Sequence, residues 1–174
     1  MPNDISKLEQ PASAAATPAP RPPLWTIGYA ETTPERLVAC LRRARIDVLV
    51  DVRAVPASRR PGFSKGALAA GLQAAGIGYR HLRGLGTPAE GRAAARAGQF
   101  DRFERIFRDH LAGLEAQADL AELEQLVGDG HRVCLLCLEA DPRRCHRGIV
   151  AEELSRRLGV EVHHIAPEPA GAES

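Results

Sequence analysis

Apolar runs of strand length recur along the chain and alternate with stretches whose apolar residues follow helical spacing. The run at 48–52 is interrupted only by Asp51. Such nearly continuous runs are typical of strands buried on both faces of a parallel sheet. We therefore predict five strands, the third of them short, at residues 24–28, 48–52, 79–82, 132–138 and 160–165.

The segments between these runs predict helices. Thr32 or Thr33 is placed to cap a first helix that has Pro34 in its first turn, and Ser64 is placed to cap a second. Apolar stripes of later helices follow steps of three and four residues, along Phe103, Phe107, His110, Leu111 and Leu114, along Leu120, Leu123 and Val127, and along Ile149, Val150, Leu154 and Leu158. The order β-α-β-α-β-α-α-β-α-β predicts an α/β three-layer sandwich with a mostly parallel sheet of about five strands.

The two ends of the chain differ in composition from the part between them. Residues 1–23 are rich in Pro and Ala without an apolar period, and we predict a disordered tail. Residues 166–174 predict a flexible tail, which leaves 24–165 as a single α/β domain. Neither an export signal nor an apolar run of 18 residues is found, so we expect a cytoplasmic protein without membrane association. In that setting the four cysteines are expected to be reduced thiols.

The charge balance argues against an extended nucleic-acid interface. The formal net charge is only +1, and aromatic residues make up 4% of the chain. Proteins that bind long nucleic acids usually carry a larger basic excess and interleaved aromatic residues. Almost all the positive charge is arginine, which suits phosphate recognition but also fits a chain rich in Ala and Gly.

In a parallel sheet, ligands bind beyond the carboxyl ends of the strands, so the loops there hold the candidate residues. Asp51 lies near the end of an apolar strand, and Arg53 lies two positions later on the same face. Asp51 is a candidate general base, or an anchor that orients Arg53. The alternative is an ion pair with Arg53 or Arg80 that only braces the loop.

A basic loop follows this strand and ends at a predicted helix N-terminus. Arg53, Arg59, Arg60 and Lys65 lie along it. Helix N-termini attract anions, so the loop is a candidate phosphate or carboxylate clamp. A solvated basic loop is the alternative interpretation, and the glycine-rich segment 83–87 is weaker evidence for a ligand.

Residues 136–147, LCLEADPRRCHR, are the most informative stretch. Cys145 falls at a predicted helix start among arginines, and both features favour a thiolate. Glu139 lies at the end of the preceding strand. The stretch predicts a reactive thiol at Cys145, with Glu139 as an acid or base and His146 and Arg147 as anion ligands. The alternative is that Cys145 is a small residue packed beneath a helix end.

Metal and redox motifs are weaker. Cys134 and Cys137 lie three apart on one strand and therefore face opposite sides of the sheet. A metal site at Cys137, Cys145 and His146 stays open as an alternative, although the flanking arginines oppose a cation. The sequence therefore predicts no metal and no cofactor.

Four segments together resemble the bacterial domain of unknown function 488. They are 26–29 (TIGY), 51–59 (DVRAVPASR), 79–86 (YRHLRGLG) and 136–147, and the resemblance covers roughly residues 24–165. The resemblance implies the domain limits and adds Tyr29 to the site, but it implies no reaction. Ala30 and Thr87 depart from the usual pattern of Ser or His and of Gly.

The residues favour an enzyme that acts on an anionic substrate, which could be a phosphorylated molecule, a nucleotide or a nucleic acid. In this hypothesis Asp51, Glu139 and Cys145 are catalytic. The substrate is bound by Tyr29, Arg53, Arg59, His146 and Arg147. Two alternatives stay open: a non-catalytic module that binds a ligand or nucleic acid, and a thiol redox or metal protein.

Overall fold

A five-stranded sheet forms the centre of the molecule, and all its strands are parallel. The computed structural model describes residues 19–169 and residue 171. The strand order is β3-β2-β4-β1-β5. The strands are β1 Leu24–Gly28, β2 Val48–Asp51, β3 Gly78–His81, β4 Val133–Cys137 and β5 Val162–Ile165. The predicted α/β sandwich with five strands is confirmed, and each predicted run contains its strand apart from the start of β3.

Within the described residues, six α-helices flank the sheet, namely α1 Pro34–Arg43, α2 Lys65–Ala74, α3 Ala89–Arg96, α4 Phe100–Leu111, α5 Leu114–Gly128 and α6 His146–Leu158. The sequence pattern predicted all of them except α3. Most of the predicted N-terminal tail and the end of the C-terminal one lie outside the described residues, so the domain limits stay a prediction.

Two apolar cores separate the layers, as alternation along the strands requires. On β4, Val133, Leu135 and Cys137 face the core shared with α3 to α6. Cys134 and Leu136 face the core shared with α1 and α2. The two cysteines thus lie on opposite faces of the sheet, as their spacing predicts.

The predicted cap residues precede their helices, but only one acts through its side chain. The hydroxyl of Thr33 accepts a hydrogen bond from the backbone N–H of Arg36 over 3.3 Å. The hydroxyl of Ser64 instead accepts from the backbone N–H of Ser58 over 3.1 Å. Ser64 therefore holds the loop before α2 rather than the first turn of that helix.

Strands β1 and β4 are neighbours, yet the helices that follow them cover opposite faces of the sheet. Such a topological switch point opens a crevice beyond the carboxyl ends of the two strands. The loops leaving it run side by side, because the N–H groups of Tyr29 and Ala30 donate to the carbonyls of Cys137 and Leu138. A Cβ atom on Gly28 would lie 1.9 Å from the carbonyl oxygen of Glu139, so this close approach requires glycine.

Candidate active site

A cleft of about 500 Å³ opens at this switch point. Five of the residues predicted for the site line it together, namely Tyr29, Arg53, Glu139, Cys145 and His146. Asp51 lies directly behind Arg53 and bonds to it. Arg147 is buried and Arg59 is exposed, and neither is among the residues that line the cleft.

Asp51 is fully buried and forms a two-point ion pair with Arg53. Nε of Arg53 donates to Oδ1 over 2.9 Å, and Nη2 donates to Oδ2 over 2.7 Å. The hydroxyl of Tyr79 donates to the same Oδ2 over 2.5 Å. Since both carboxylate oxygens are engaged, this geometry fits an anchor for Arg53 and not a free general base.

The remaining donors of Arg53 fix its orientation. Nη1 donates to the hydroxyl of Tyr29 over 3.0 Å and to the carbonyl of Phe63 over 2.8 Å. The rings of Tyr29 and Phe63 stack with centroids 4.5 Å apart. Burial lowers the pKa of Arg53, but the hydrogen bonds and negative charge of Asp51 outweigh it and raise that pKa. Burial and the bond to Asp51 raise the pKa of Tyr79.

Arg147 links two backbone segments, β1 and the loop after β4, through hydrogen bonds. Its Nε donates to the hydroxyl of Thr26 over 3.3 Å, and its Nη2 donates to the carbonyl of Ala140 over 3.1 Å. Nη1 donates to the carbonyl of Glu139. The side chain therefore joins β1 to the loop after β4, and its guanidinium is largely occupied by the protein itself.

Cys137, Cys145 and His146 form a compact group at the floor of the cleft, which we call the Cys–Cys–His cluster. Cys137 ends β4, Cys145 directly precedes α6, and His146 begins that helix. Nδ1 of His146 lies 3.7 Å from Sγ of Cys137 and 3.8 Å from Sγ of Cys145. Nε2 lies 2.6 Å from the carbonyl oxygen of Val52. Because a carbonyl only accepts, Nε2 carries a proton, and in the neutral imidazole Nδ1 presents its lone pair to the sulfurs.

The two thiols of the cluster differ in acidity. Burial raises the pKa of Cys145, but the Cys137 thiol, His146 and Arg147 outweigh it and hold that pKa well below its usual range. The hydrogen bond to Cys145, followed by burial, raises the pKa of Cys137. Burial lowers the pKa of His146, yet the negative charge of Cys145 raises it overall. Partial loss of hydration and the charge of Cys145 raise the pKa of Glu139.

A family model described as "Domain of unknown function DUF488" matches residues 33–154, which is more than half of the chain. The chain belongs to the DUF488 family. The match includes Asp51, Arg53 and the whole of 136–147, whereas Tyr29 precedes it. No curated protein and no solved structure matches the chain. No helix within the described part of this DUF488 protein is long and apolar enough to cross a membrane.

The cleft of the DUF488 domain also contains groups that the sequence did not single out. Arg92 and Arg96 reach it from α3. Arg144, which the sequence placed beside Cys145, also lines it, from the turn before α6. The guanidinium of Arg144 lies 5.3 Å from the centre of the Phe100 ring. A possible signal was the spacing of Arg92 and Arg96, which are four apart and so share one helix face. That signal has meaning only once α3 is recognised.

Arg143 and Arg144, which the sequence placed beside Cys145, contact other side chains. Arg143 pairs with Asp141 over 3.1 Å and is exposed. Arg144 lies over the ring of Phe100. Arg147, the third arginine near the thiol in the sequence, lowers the pKa of Cys145 through its charge.

Proposed function

We propose that this DUF488 protein is an enzyme that binds an anionic substrate in the cleft, a phosphorylated small molecule or a nucleotide. The observation that carries the proposal is the charge of the cleft lining. Among the described residues, arginine side chains line it at four positions, Arg53, Arg92, Arg96 and Arg144, against a single carboxylate, Glu139. A concave surface with such a balance attracts anions and concentrates them at its floor.

Three of these arginines have donors to spare. Arg96 is exposed and has no hydrogen-bond or ion-pair partner within the described residues. Arg92 donates through Nη1 to the carbonyl of Thr87 over 2.7 Å, which leaves its other guanidinium nitrogens. Arg144 contacts an aromatic face, and its guanidinium N–H groups form no hydrogen bond within the same described part. The planar guanidinium binds two oxygens of a phosphate or carboxylate at once.

The dimensions favour a small ligand over a nucleic-acid strand. A volume of about 500 Å³ falls within the range of roughly 300–1,000 Å³ typical of small-molecule sites. Phe100 and Phe103 line the same cleft and offer apolar faces to the uncharged part of a substrate. Binding of nucleic acid, a cytoplasmic location and a bacterial source stay predictions from the sequence.

Glu139 is the group we assign to proton transfer. It is the one carboxylate among the lining residues, and it lies on the loop that leads from Cys137 towards Cys145. Asp51 does not compete for this role, because Arg53 and Tyr79 occupy both of its oxygens. We therefore assign Asp51 to positioning Arg53, and we place the reacting bond above the Cys–Cys–His cluster.

Ligand-dependent melting tests the anion site. Inorganic phosphate and AMP are expected to raise the melting temperature, and adenosine, which lacks the phosphate, is expected to raise it less. The double variant Arg96→Ala/Arg144→Ala is expected to lose the shift. Arg105→Ala removes an exposed arginine of α4 that does not line the cleft, and it is expected to keep the shift. A flat response to every phosphate compound contradicts the proposal.

Turnover is tested separately from binding. The protein is incubated with a panel of phosphorylated metabolites and nucleotides, and products are identified by mass spectrometry. For any compound converted, Glu139→Gln is expected to keep binding and to lower kcat by about 10²–10⁴, the usual contribution of a general acid or base. Binding without conversion of any compound that shifts the melting temperature favours the non-catalytic module instead.

A further inference from the structure

We infer that Cys137, Cys145 and His146 form a binding site for a zinc ion, with two sulfur ligands, one nitrogen ligand and a fourth position open to the cleft. All three side chains line the cleft, and their donor atoms lie within 4.8 Å of one another. The inference goes beyond the proposed function, because metal binding is measurable without any substrate.

The distances fit tetrahedral zinc. Bonds of about 2.3 Å to sulfur and 2.0–2.1 Å to nitrogen, at a tetrahedral angle, place sulfur about 3.6 Å from nitrogen. Nδ1 of His146 lies 3.7 Å from Sγ of Cys137 and 3.8 Å from Sγ of Cys145. Both nitrogen–sulfur distances therefore exceed the tetrahedral value by only tenths of an ångström.

The histidine is already set for coordination. Its Nε2–H donates to the carbonyl of Val52 over 2.6 Å, so the lone pair of Nδ1 points at the two sulfurs. A metal-bound histidine usually donates its other ring N–H to a carbonyl or carboxylate in this way. The ring also packs against Phe107, with centroids 5.4 Å apart, which fixes its plane.

The backbone that carries the ligands is held at both ends. Cys137 ends a strand that pairs with β1 and β2, its neighbours on either side. The turn before α6 packs so closely that a Cβ atom on Gly148 would lie 2.3 Å from the carbonyl oxygen of Pro142. Arg147 bonds to the carbonyls between the two cysteines. The ligands therefore lie close together without needing the metal to gather them.

The donor set selects zinc among common ions. Thiolate sulfur and imidazole nitrogen suit zinc, whereas magnesium and calcium prefer oxygen. Two thiolates balance the charge of the ion, which answers the objection that nearby arginines oppose a cation. Arg143 is exposed and pairs with Asp141, so its charge is already balanced by a carboxylate.

Three protein ligands are typical of a catalytic zinc site, in which a water molecule or a substrate oxygen takes the fourth place. Here that place faces the arginine-lined cleft and the side chain of Glu139. An anionic group held by Arg96 and Arg144 is thus brought towards the ion. A closed structural site would require a fourth protein ligand, and within the described residues no further His, Cys, Asp or Glu joins these three donor atoms within 4.8 Å.

Metal analysis of the purified full-length chain tests the inference. Protein produced with zinc in the medium is expected to contain one zinc per chain. Cys137→Ala, Cys145→Ala and His146→Asn are each expected to lose nearly all of it. Cys134→Ala is the matched control, because Cys134 lies on the same strand but faces the opposite core, and it is expected to retain the ion. Circular dichroism checks that each variant is folded.

Cobalt substitution gives a second measurement that does not depend on any variant. The wild-type chain loaded with cobalt is expected to show the strong visible absorption of a tetrahedral site and a thiolate charge-transfer band in the near ultraviolet. The inference is overturned if the zinc content of the wild-type protein does not exceed that of the buffer and the cobalt-loaded protein shows no such spectrum. If zinc is bound but no anion raises the melting temperature, the zinc site is supported and the proposed function is contradicted. If an anion raises the melting temperature but no zinc is bound, the proposed function is supported and the zinc site is contradicted.

Discussion

Arg53 donates hydrogen bonds to both carboxylate oxygens of Asp51, from Nε over 2.9 Å and from Nη2 over 2.7 Å. Removing one partner of such a buried pair leaves the other charge without compensation. We expect Arg53→Ala to lower the free energy of unfolding by about 3–5 kcal/mol, measured by urea denaturation. Arg53→Lys is expected to recover only part of this loss, because an ammonium group lacks the planar fork. A loss below about 1 kcal/mol for Arg53→Ala, the size seen for exposed pairs, contradicts the assigned geometry.

The second prediction concerns the close approach of the two loops that leave the switch point. Gly28→Ala would bring a Cβ atom to 1.9 Å from the carbonyl oxygen of Glu139. We expect it to lower the free energy of unfolding by about 1–3 kcal/mol, as overpacking does. Gly71→Ala is the control, since it lies within α2 with no atom near the new Cβ. The control is expected to be neutral or stabilising by about 0.5–1 kcal/mol, because alanine favours helix.

The third prediction is a pH dependence of stability at the surface of α6. Hydrogen bonds from Arg156 and Arg157, both 2.7 Å long, hold the pKa of Glu153 at about 2. Since the folded pKa lies below the ordinary value of 4.5, the stabilisation is fully present above pH 4.5. It is lost as the pH falls from there towards 2. Solvent screening limits its size to roughly 1 kcal/mol or less.

Comparing Glu153→Gln with the wild type tests this window. The free energies of unfolding of the two proteins are expected to differ at pH 7 and to converge as the pH approaches 2. Glu152→Gln is the control, because its side chain is 73% exposed and lies 3.5 Å from Arg108. A difference between Glu153→Gln and the wild type that grows on acidification refutes the prediction.

The fourth prediction concerns metal removal. After treatment with a strong chelator, iodoacetamide is expected to label Cys145 first and Cys137 more slowly. Both line the cleft, but the pKa of Cys145 is held low whereas that of Cys137 is raised. Without chelation both are expected to be protected. Cys134 is fully buried on the opposite face and is expected to stay unlabelled until the protein unfolds. Peptide mass spectrometry reads out each site, and equal labelling of Cys145 with and without chelator counts against the metal.

The strands could be predicted because burial on both faces demands continuous apolar residues, as in β2 and β4. Helix α3 could not be predicted in this way. It buries Gly91 and Ala94, which leave no stripe of large apolar side chains for a pattern to show. Small residues suffice there because the helix approaches α4 closely, with a Cβ atom on Gly91 falling 3.3 Å from Ile106.

The location of the candidate site could be predicted from the sequence, but the directions of its side chains could not. The carboxyl ends of parallel strands meet at one edge, and this brings Arg53, Glu139 and Cys145 to the same cleft. The direction of each arginine depends on partners distant in sequence. Arg147 turns inward because Thr26, 121 residues away along the chain, accepts its hydrogen bond. The contact of Cys137 with His146 likewise depends on the path of the loop between them, which spacing alone does not reveal.

Helix α3 lies on α4 through its smallest residues and carries Arg92 and Arg96 into the cleft. The Cys–Cys–His cluster, by contrast, is built on β4 and α6. Arg92 and Arg96 can therefore be replaced without changing any residue of β4 or α6. Evolutionary change in α3 is thereby separated from change in β4 and α6. Under the function proposed above, a lineage carrying this domain would change the anions it binds through substitutions in one short helix, while the Cys–Cys–His cluster is inherited unchanged.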